Sequence, residues 1–203
     1  LTISNGSGCE NEIVKQVNVV EKPSPNFDWN LVCSGETITF NNLSLNTIPE
    51  ATYSWDLDND GTEDASGDGA VNFIFTNSGA YNPTLTIENI PGCSASLSQP
   101  IEIFDIPEVM IDINAQCYGQ ESQMIDLSQK VSTTPNYFWD FGEAGSPIDE
   151  TVGSTNYTYS SYDTYIVTLT IDNGGNCQAT TESRVQFADA ATPDFETNKL
   201  CEG

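Results

Sequence analysis

The sequence predicts an all-β chain of tandem immunoglobulin-like antiparallel β-sandwiches in an end-to-end array. Three observations predict it. Apolar and polar residues alternate with period two in short runs, helical periodicity is almost absent, and six cysteines recur at a fixed spacing. The cysteines are Cys9, Cys33, Cys93, Cys117, Cys177 and Cys201, separated by 24, 60, 24, 60 and 24 residues. These intervals define a period of 84, and the rest of the sequence follows it without a gap. Leu1-Thr2-Ile3 falls on Leu85-Thr86-Ile87 and on Leu169-Thr170-Ile171, Trp55-Asp56 on Trp139-Asp140, and Gly35 on Gly119 and Gly203. The expected organisation is the C-terminal strands of one repeat (1–22), two whole repeats (23–106 and 107–189) and the first strand of another (190–203). The chain opens in what reads as the middle of a strand, so it is expected to be cut from something longer.

Each strand is justified by its own pattern. Thr37-Ile38-Thr39-Phe40 alternates. So does Thr84-Leu85-Thr86-Ile87, continued backwards by Tyr81. One repeat on, Val167, Leu169 and Ile171 point one way and Thr168 and Thr170 the other, as in a half-buried antiparallel strand. Turn residues separate the runs at Asn77-Ser78-Gly79, Ile90-Pro91-Gly92 and Asn173-Gly174-Gly175. Trp55 and Trp139 lie on central strands amid apolar neighbours, which assigns them to the interior between two sheets. Tyr81 and Tyr165 follow a tight turn and suit a tyrosine-corner hydrogen bond. Asp56 and Asp140 stand where a strand enters a turn and can accept backbone N–H groups. Trp29 has no counterpart one repeat on and receives no role.

Charge excludes several functions. Five Lys+Arg against 30 Asp+Glu leave a net charge of −25, which gives nucleic acid and anionic membrane nothing to bind. With no His there is no imidazole relay or imidazole metal site. No apolar run reaches the ~18 residues a spanning helix needs. Acidic pairs such as Asp149/Glu150 arise by chance in so acidic a chain, and no nucleophile–base spacing stands out, so the reading is non-catalytic.

Several motifs together resemble the polycystic kidney disease (PKD) domain. They are Tyr53-Ser54-Trp55-Asp56-Leu57-Asp58, Phe73-Ile74-Phe75, Ser78-Gly79-Ala80-Tyr81 and Thr84-Leu85-Thr86-Ile87. Tyr137-Phe138-Trp139-Asp140-Phe141-Gly142, Tyr157-Thr158-Tyr159 and Tyr165 to Thr170 repeat the set. The family pattern is W-D-F-G-D-G, then a short aromatic strand, then G-x-Y-x-V-x-L-x-V. Leu57-Asp58, Glu143-Ala144 and Asp163 depart from it. The resemblance implies a seven-stranded sandwich serving as spacer or interaction module in an extracellular protein. The acidic, cysteine-bearing array is similar to those of large Bacteroidota surface proteins, the gliding-motility adhesins of SprB type. It implies cell-surface exposure outside the outer membrane after type IX secretion. The implied partners are neighbouring repeats, with extracellular glycans or surface proteins as the alternative through loops or through Tyr157, Tyr159 and Tyr162, whose other reading is strand packing.

Two features remain open in the sequence. The disulfides repeat either as Cys33–Cys93 and Cys117–Cys177 within a repeat or as Cys33–Cys177 across a repeat boundary. In an immunoglobulin-like order Cys33 and Cys93 lie at opposite ends of a strand roughly 25 Å long, against the ~7 Å between Cα atoms that a disulfide tolerates. The second feature is Asp56-Leu57-Asp58-Asn59-Asp60-Gly61-Thr62-Glu63-Asp64, with oxygen ligands at alternate positions as in a calcium loop. Asp58, Asp60 and Asp64 are the expected ligands of Ca²⁺, with Asp56 serving the fold; the alternative is a solvated acidic turn. Phe141-Gly142-Glu143-Ala144 replaces the motif in the second repeat, so calcium is expected in the first alone.

Overall fold

Seventeen β-strands and no helix make up the described part of the computed structural model, residues 1–17 and 19–187. In chain order they are β1 (Thr2–Ser4), β2 (Glu10–Glu12), β3 (Phe27–Trp29), β4 (Thr37–Asn42), β5 (Thr52–Asp56) and β6 (Ala65–Ser66). Then come β7 (Val71–Ile74), β8 (Gly79–Tyr81), β9 (Thr84–Ile90), β10 (Cys93–Ser98), β11 (Ile101–Ile103) and β12 (Ile111–Asn114). The last are β13 (Glu121–Asp126), β14 (Asn136–Asp140), β15 (Thr155–Thr158), β16 (Thr164–Asp172) and β17 (Gln178–Gln186). The fold is immunoglobulin-like: antiparallel sheets whose apolar faces enclose aromatic cores. The sequence reading of 190–203 as a further strand lies outside the described residues.

Two compact units emerge, and their borders do not follow the 84-residue repeat. The first comprises Leu1–Asn30, Thr39–Phe73 and Tyr81–Ile101; the second takes Leu31–Ile38, Ile74–Ala80 and the described residues from Glu102 onward. The short segments join the second unit through specific bonds. Cys33 forms a parallel bridge with Phe104, the Ser34 amide donates to the Phe104 carbonyl at 2.8 Å, and Gly35 donates to Phe75 at 2.7 Å.

In the first unit, β10-β9-β5-β6 form one sheet and β3-β4-β7 another. Trp55 and Phe40 are fully buried and Phe27 nearly so. The Trp55 ring meets Phe27 at 5.3 Å in an edge-to-face arrangement, and Phe40 meets Phe27 the same way at 6.0 Å. Trp29, without a role in the sequence, lies half-buried 6.3 Å from Phe40 and extends this cluster.

In the second unit, β12-β13-β15 and β14-β16-β17 are the two sheets. Their core gathers Met124, Trp139, Tyr159, Val167, Leu169 and Ile171, all fully buried. On β16 buried residues alternate with more exposed ones, the period-two pattern read from Val167, Leu169 and Ile171. The Trp139 Nε1 donates to the Gly153 carbonyl at 3.1 Å, so the one polar atom of that ring is satisfied. The Tyr165 hydroxyl donates to the Ser161 carbonyl at 3.1 Å, a tyrosine corner.

The two repeats differ in strand count for a local reason. Pro83 separates β8 from β9, and Pro100 separates β10 from β11. Proline has no N–H for a ladder, so each strand breaks there. Val167 and Arg184 occupy those positions one repeat on, and β16 and β17 run unbroken for nine residues each. Conversely β6, paired through Trp55 and Ala65, shrinks in the second repeat to the isolated bridge Trp139–Asp149. Residues 107–187 therefore show six strands, not the seven that the resemblance implies. Gly142 is a required glycine: at φ 72° a Cβ there would stand 2.4 Å from the Ile166 carbonyl oxygen.

Buried and half-buried side chains tie loops to these sheets. Asn173, 2% exposed, donates to the carbonyls of Asp105 and Lys130 at 2.8 and 2.7 Å and accepts from the Ser132 amide at 2.8 Å. Asn89 makes the same three bonds one repeat earlier, to Glu21, Asn46 and Ile48. Glu143 accepts from the Ser160 hydroxyl and amide and from the Tyr157 hydroxyl, and these bonds, the Ser160 hydroxyl foremost, hold its carboxyl below the usual range.

Two outcomes are expected. Asn173→Ala strands two carbonyls and one amide and should lower the stability of the second unit by about 2–4 kcal/mol, read by urea denaturation. Glu143→Gln should cost about 1–2 kcal/mol at pH 7. Because the folded carboxyl titrates below its unfolded value, its stabilisation is complete above the ordinary glutamate range and is lost as pH falls through the lowered one. The gap between Glu143→Gln and the parent should therefore begin to narrow as pH falls through the ordinary glutamate value of about 4.3 and go on narrowing through the lowered folded one.

Candidate functional site

The acidic turn follows β5. The strand ends at Asp56, whose Oδ2 accepts the Gly61 amide at 3.1 Å; this folds residues 56–61 back on themselves. Asp58 Oδ1 accepts the Asp60 amide at 3.1 Å, and Asp64 Oδ2 accepts the Leu57 amide at 2.7 Å. Asn59 takes the left-handed conformation at φ 63°, and Gly61 does so at 86°. The turn is built by carboxylates capping backbone amides, as the short polar side chains at alternate positions dictate.

This geometry sorts the sequence candidates. Asp56, Asp58 and Asp64 present oxygens within 4.8 Å of one another. Asp60 is not part of that group. Its carboxylate turns to the Thr62 hydroxyl and amide, which hold its pKa below the ordinary value. Asp56, read from sequence as a fold residue, serves the fold through Oδ2 and also faces the cluster. Its Oδ1 is buried without a hydrogen-bond partner. Such an oxygen is costly unless something pairs with it. In the second repeat the equivalent Asp140 accepts the Gly142 amide at 2.8 Å, and Glu143 and Asp149 are engaged elsewhere.

The second site is the cysteine pole of the second unit. Cys33 and Cys177 are joined by a disulfide with Cα atoms 5.6 Å apart and 144 residues between them in sequence. The within-repeat pairing is thereby corrected: Cys93 and Cys117, the partners it required, are free thiols, as is Cys9. Strand length explains the outcome, since a sandwich keeps the two ends of a strand too far apart for one S–S bond. Phe104 packs over Gly174 and Gly175 beside the bond; any Cβ at either glycine would press to 3.2 Å on its ring. Asp105 accepts from the Ser34 and Ser78 hydroxyls, which lower its pKa, the Ser34 bond most.

Aromatic residues considered for ligand stacking are mostly spoken for. Tyr159 is fully buried, with its hydroxyl on the Phe141 carbonyl at 3.1 Å. Tyr157 stacks on Phe141 at 4.1 Å and donates to Glu143. Tyr162 is 57% exposed and touches Tyr118 at 5.9 Å. The Asp149 of the acidic pair Asp149/Glu150 accepts from the hydroxyls of Thr151 and Thr155; these bonds lower its pKa, and they give it a structural partner set. A cleft of about 530 Å³ lined by Thr47, Pro49, Tyr53 and Asp68 opens on the first unit. No motif announced it, because its lining comes from two stretches, 47–53 and 66–68, that only the fold brings together.

No curated protein matches the sequence. Among solved structures, the three N-terminal domains of the bacteriophage RB49 highly immunogenic outer capsid protein align at 11% identity and a TM-score of 0.37, over 82% of this chain and 59% of that one. This chain thus spans less than two thirds of that protein's length. Carbohydrate-binding modules from the β-sandwich superfamily align at 13% identity and 0.41, over 87% and 83%. The Clostridium thermocellum CbhA fibronectin(III)-like modules align at 9% and 0.45, over 85% and 100%. Residues 20–104, the segment that holds Trp55, Tyr81 and the acidic turn, match the family model of the PKD domain.

Proposed function

We propose that this chain is a run of stalk repeats from a large secreted adhesin displayed on a bacterial cell surface, with a non-catalytic, mechanical role in attachment and gliding. The observation that carries the reading is the Cys33–Cys177 bond. It ties the head of one 84-residue repeat to the tail turn of the next, so tension on the chain passes through a covalent link. Repetition multiplies reach or avidity and does not create one active centre. The acidic surface, at net charge −25, opposes self-association and keeps such a stalk off a like-charged envelope. The partners in this reading are the neighbouring repeats, with a glycan or surface protein at the far side of the contact.

Force spectroscopy tests the mechanical claim. Pulled from its ends, the oxidised chain should withhold the 144-residue span between the cysteines, about 500 Å of contour at ~3.4 Å per residue. Dithiothreitol should release it. Antibodies against the chain should decorate intact producing cells and reduce their attachment. Full extension without reductant, or labelling only after lysis, would end the stalk reading.

The acidic turn supports a second role, calcium binding at Asp56, Asp58 and Asp64. What supports it is that Asp56 keeps a buried oxygen without a partner and that Asp56, Asp58 and Asp64 bring carboxylate oxygens within 4.8 Å of one another, a setting that a hard cation satisfies. Millimolar Ca²⁺ should raise the melting temperature of the first unit by about 4–8 °C, the shift that ~1 kcal/mol of ligand stabilisation gives a domain of this size. It should leave the second unit unmoved. Asp58→Asn should abolish the shift, and calorimetry with no calcium effect on the parent would remove the site.

A further inference from the structure

We propose that Cys117 and Cys93 are the two open halves of the Cys33–Cys177 staple. Cys117 takes the cysteine equivalent to Cys177 in a following 84-residue repeat, and Cys93 the one equivalent to Cys33 in a preceding repeat.

The turn carrying Cys117 reproduces the one carrying Cys33, and the turn carrying Cys93 shares the asparagine anchor of the one carrying Cys177. At Cys33, the Glu36 amide donates to the cysteine carbonyl at 3.1 Å, Gly35 has φ 79°, and its amide donates to Phe75 at 2.7 Å. At Cys117, the Gln120 amide donates to the cysteine carbonyl at 3.0 Å, Gly119 has φ 76°, and its amide donates to Tyr159 at 2.9 Å. Every one of these positions is displaced by 84. Cys177 closes a turn held by Asn173, whose bonds to Asp105, Lys130 and Ser132 were described above. Cys93 closes the turn held by Asn89, with the same bonds to Glu21, Asn46 and Ile48, again displaced by 84. Cys117 is exposed and Cys93 half-buried, with the Cys93 Sγ 3.7 Å from the Glu21 carbonyl.

One bonded pair in the same chain is therefore the template for both free ends, through the turn at Cys117 and through the asparagine anchor at Cys93. Cys117 and Cys93 cannot complete the pattern with each other, because the bonded pair is separated by 144 residues and runs from head turn to tail turn in that order. Closing each staple breaks two S–H bonds and forms one S–S bond. The two protons and two electrons pass to a low-molecular-weight disulfide, whose S–S bond breaks to give two thiols. The pairing depends on the 84-residue period and holds whatever surface the array touches.

The test lengthens the full chain by duplicating residues 106–189 in frame after residue 189. Parent and lengthened chains are equilibrated in oxidised and reduced glutathione, alkylated, and mapped as peptides without reduction. The parent should give a Cys33–Cys177 peptide and alkylated Cys93 and Cys117. The lengthened chain should add a Cys117–Cys177 peptide, and Cys117→Ser in the original copy alone should remove it. Absence of the Cys117–Cys177 peptide from the folded, lengthened chain would overturn the proposal, as would a Cys117–Cys93 link in either chain. Should that chain not fold, duplication of residues 22–105 after residue 105 tests the other half. A Cys33–Cys93 peptide lost on Cys93→Ser in the second copy alone supports it, and one that survives that change refutes it.

Discussion

A buried amide governs how each repeat is closed. Asn173 sits 2% exposed among carbonyls that have no ladder partner, and it satisfies two of them and one amide at once. Left unpaired, each of those groups would carry a desolvation cost of roughly 1–3 kcal/mol. The linker at Asp105, the turn at Lys130 and the hairpin ending at Cys177 are therefore fixed to one point. Asn89 does the same for Glu21, Asn46 and the hairpin ending at Cys93. A disulfide can form reproducibly at this pole because the backbone on which it depends is already held.

The cores need less specification. Trp55 and Trp139 fill their interiors completely, and around them aliphatic and aromatic side chains from both sheets close the space. Here bulk and alternation suffice, which is how two repeats with different aromatic neighbours reach the same architecture. The differences that do appear trace to single residues. Pro83 and Pro100 cut two long strands into four, and their replacement by Val167 and Arg184 restores continuity. The acidic turn is an example on the polar side. Asp58 and Asp60 occupy the positions of Gly142 and Ala144, and a turn of self-capping carboxylates replaces one that needs a glycine against Ile166.

These features give the molecule a division of labour along its length. Repetition supplies the module, the buried amide supplies the pole, and the disulfide joins positions 144 residues apart. Carboxylates with lowered pKa values, Glu143, Asp149 and Asp105, owe them to hydroxyls and amides that they hold in place, a structural use of charge.

Much of this was legible in the chain before folding. The period of 84, the strand alternation, the tryptophan interiors and the tyrosine corner at Tyr165 are local or periodic properties, and each is written in residue type and spacing. The calcium-loop pattern was legible too, but not which oxygens meet. Asp60 turned to Thr62 and Asp56 left one oxygen unpaired, because backbone amides compete for the same carboxylates. The choice of cysteine partners was likewise undecidable from spacing, since both pairings repeat with the unit. Only the folded chain brings Cys33 within 5.6 Å of Cys177, because distance in a sandwich is set by strand length and sheet packing and not by separation along the sequence.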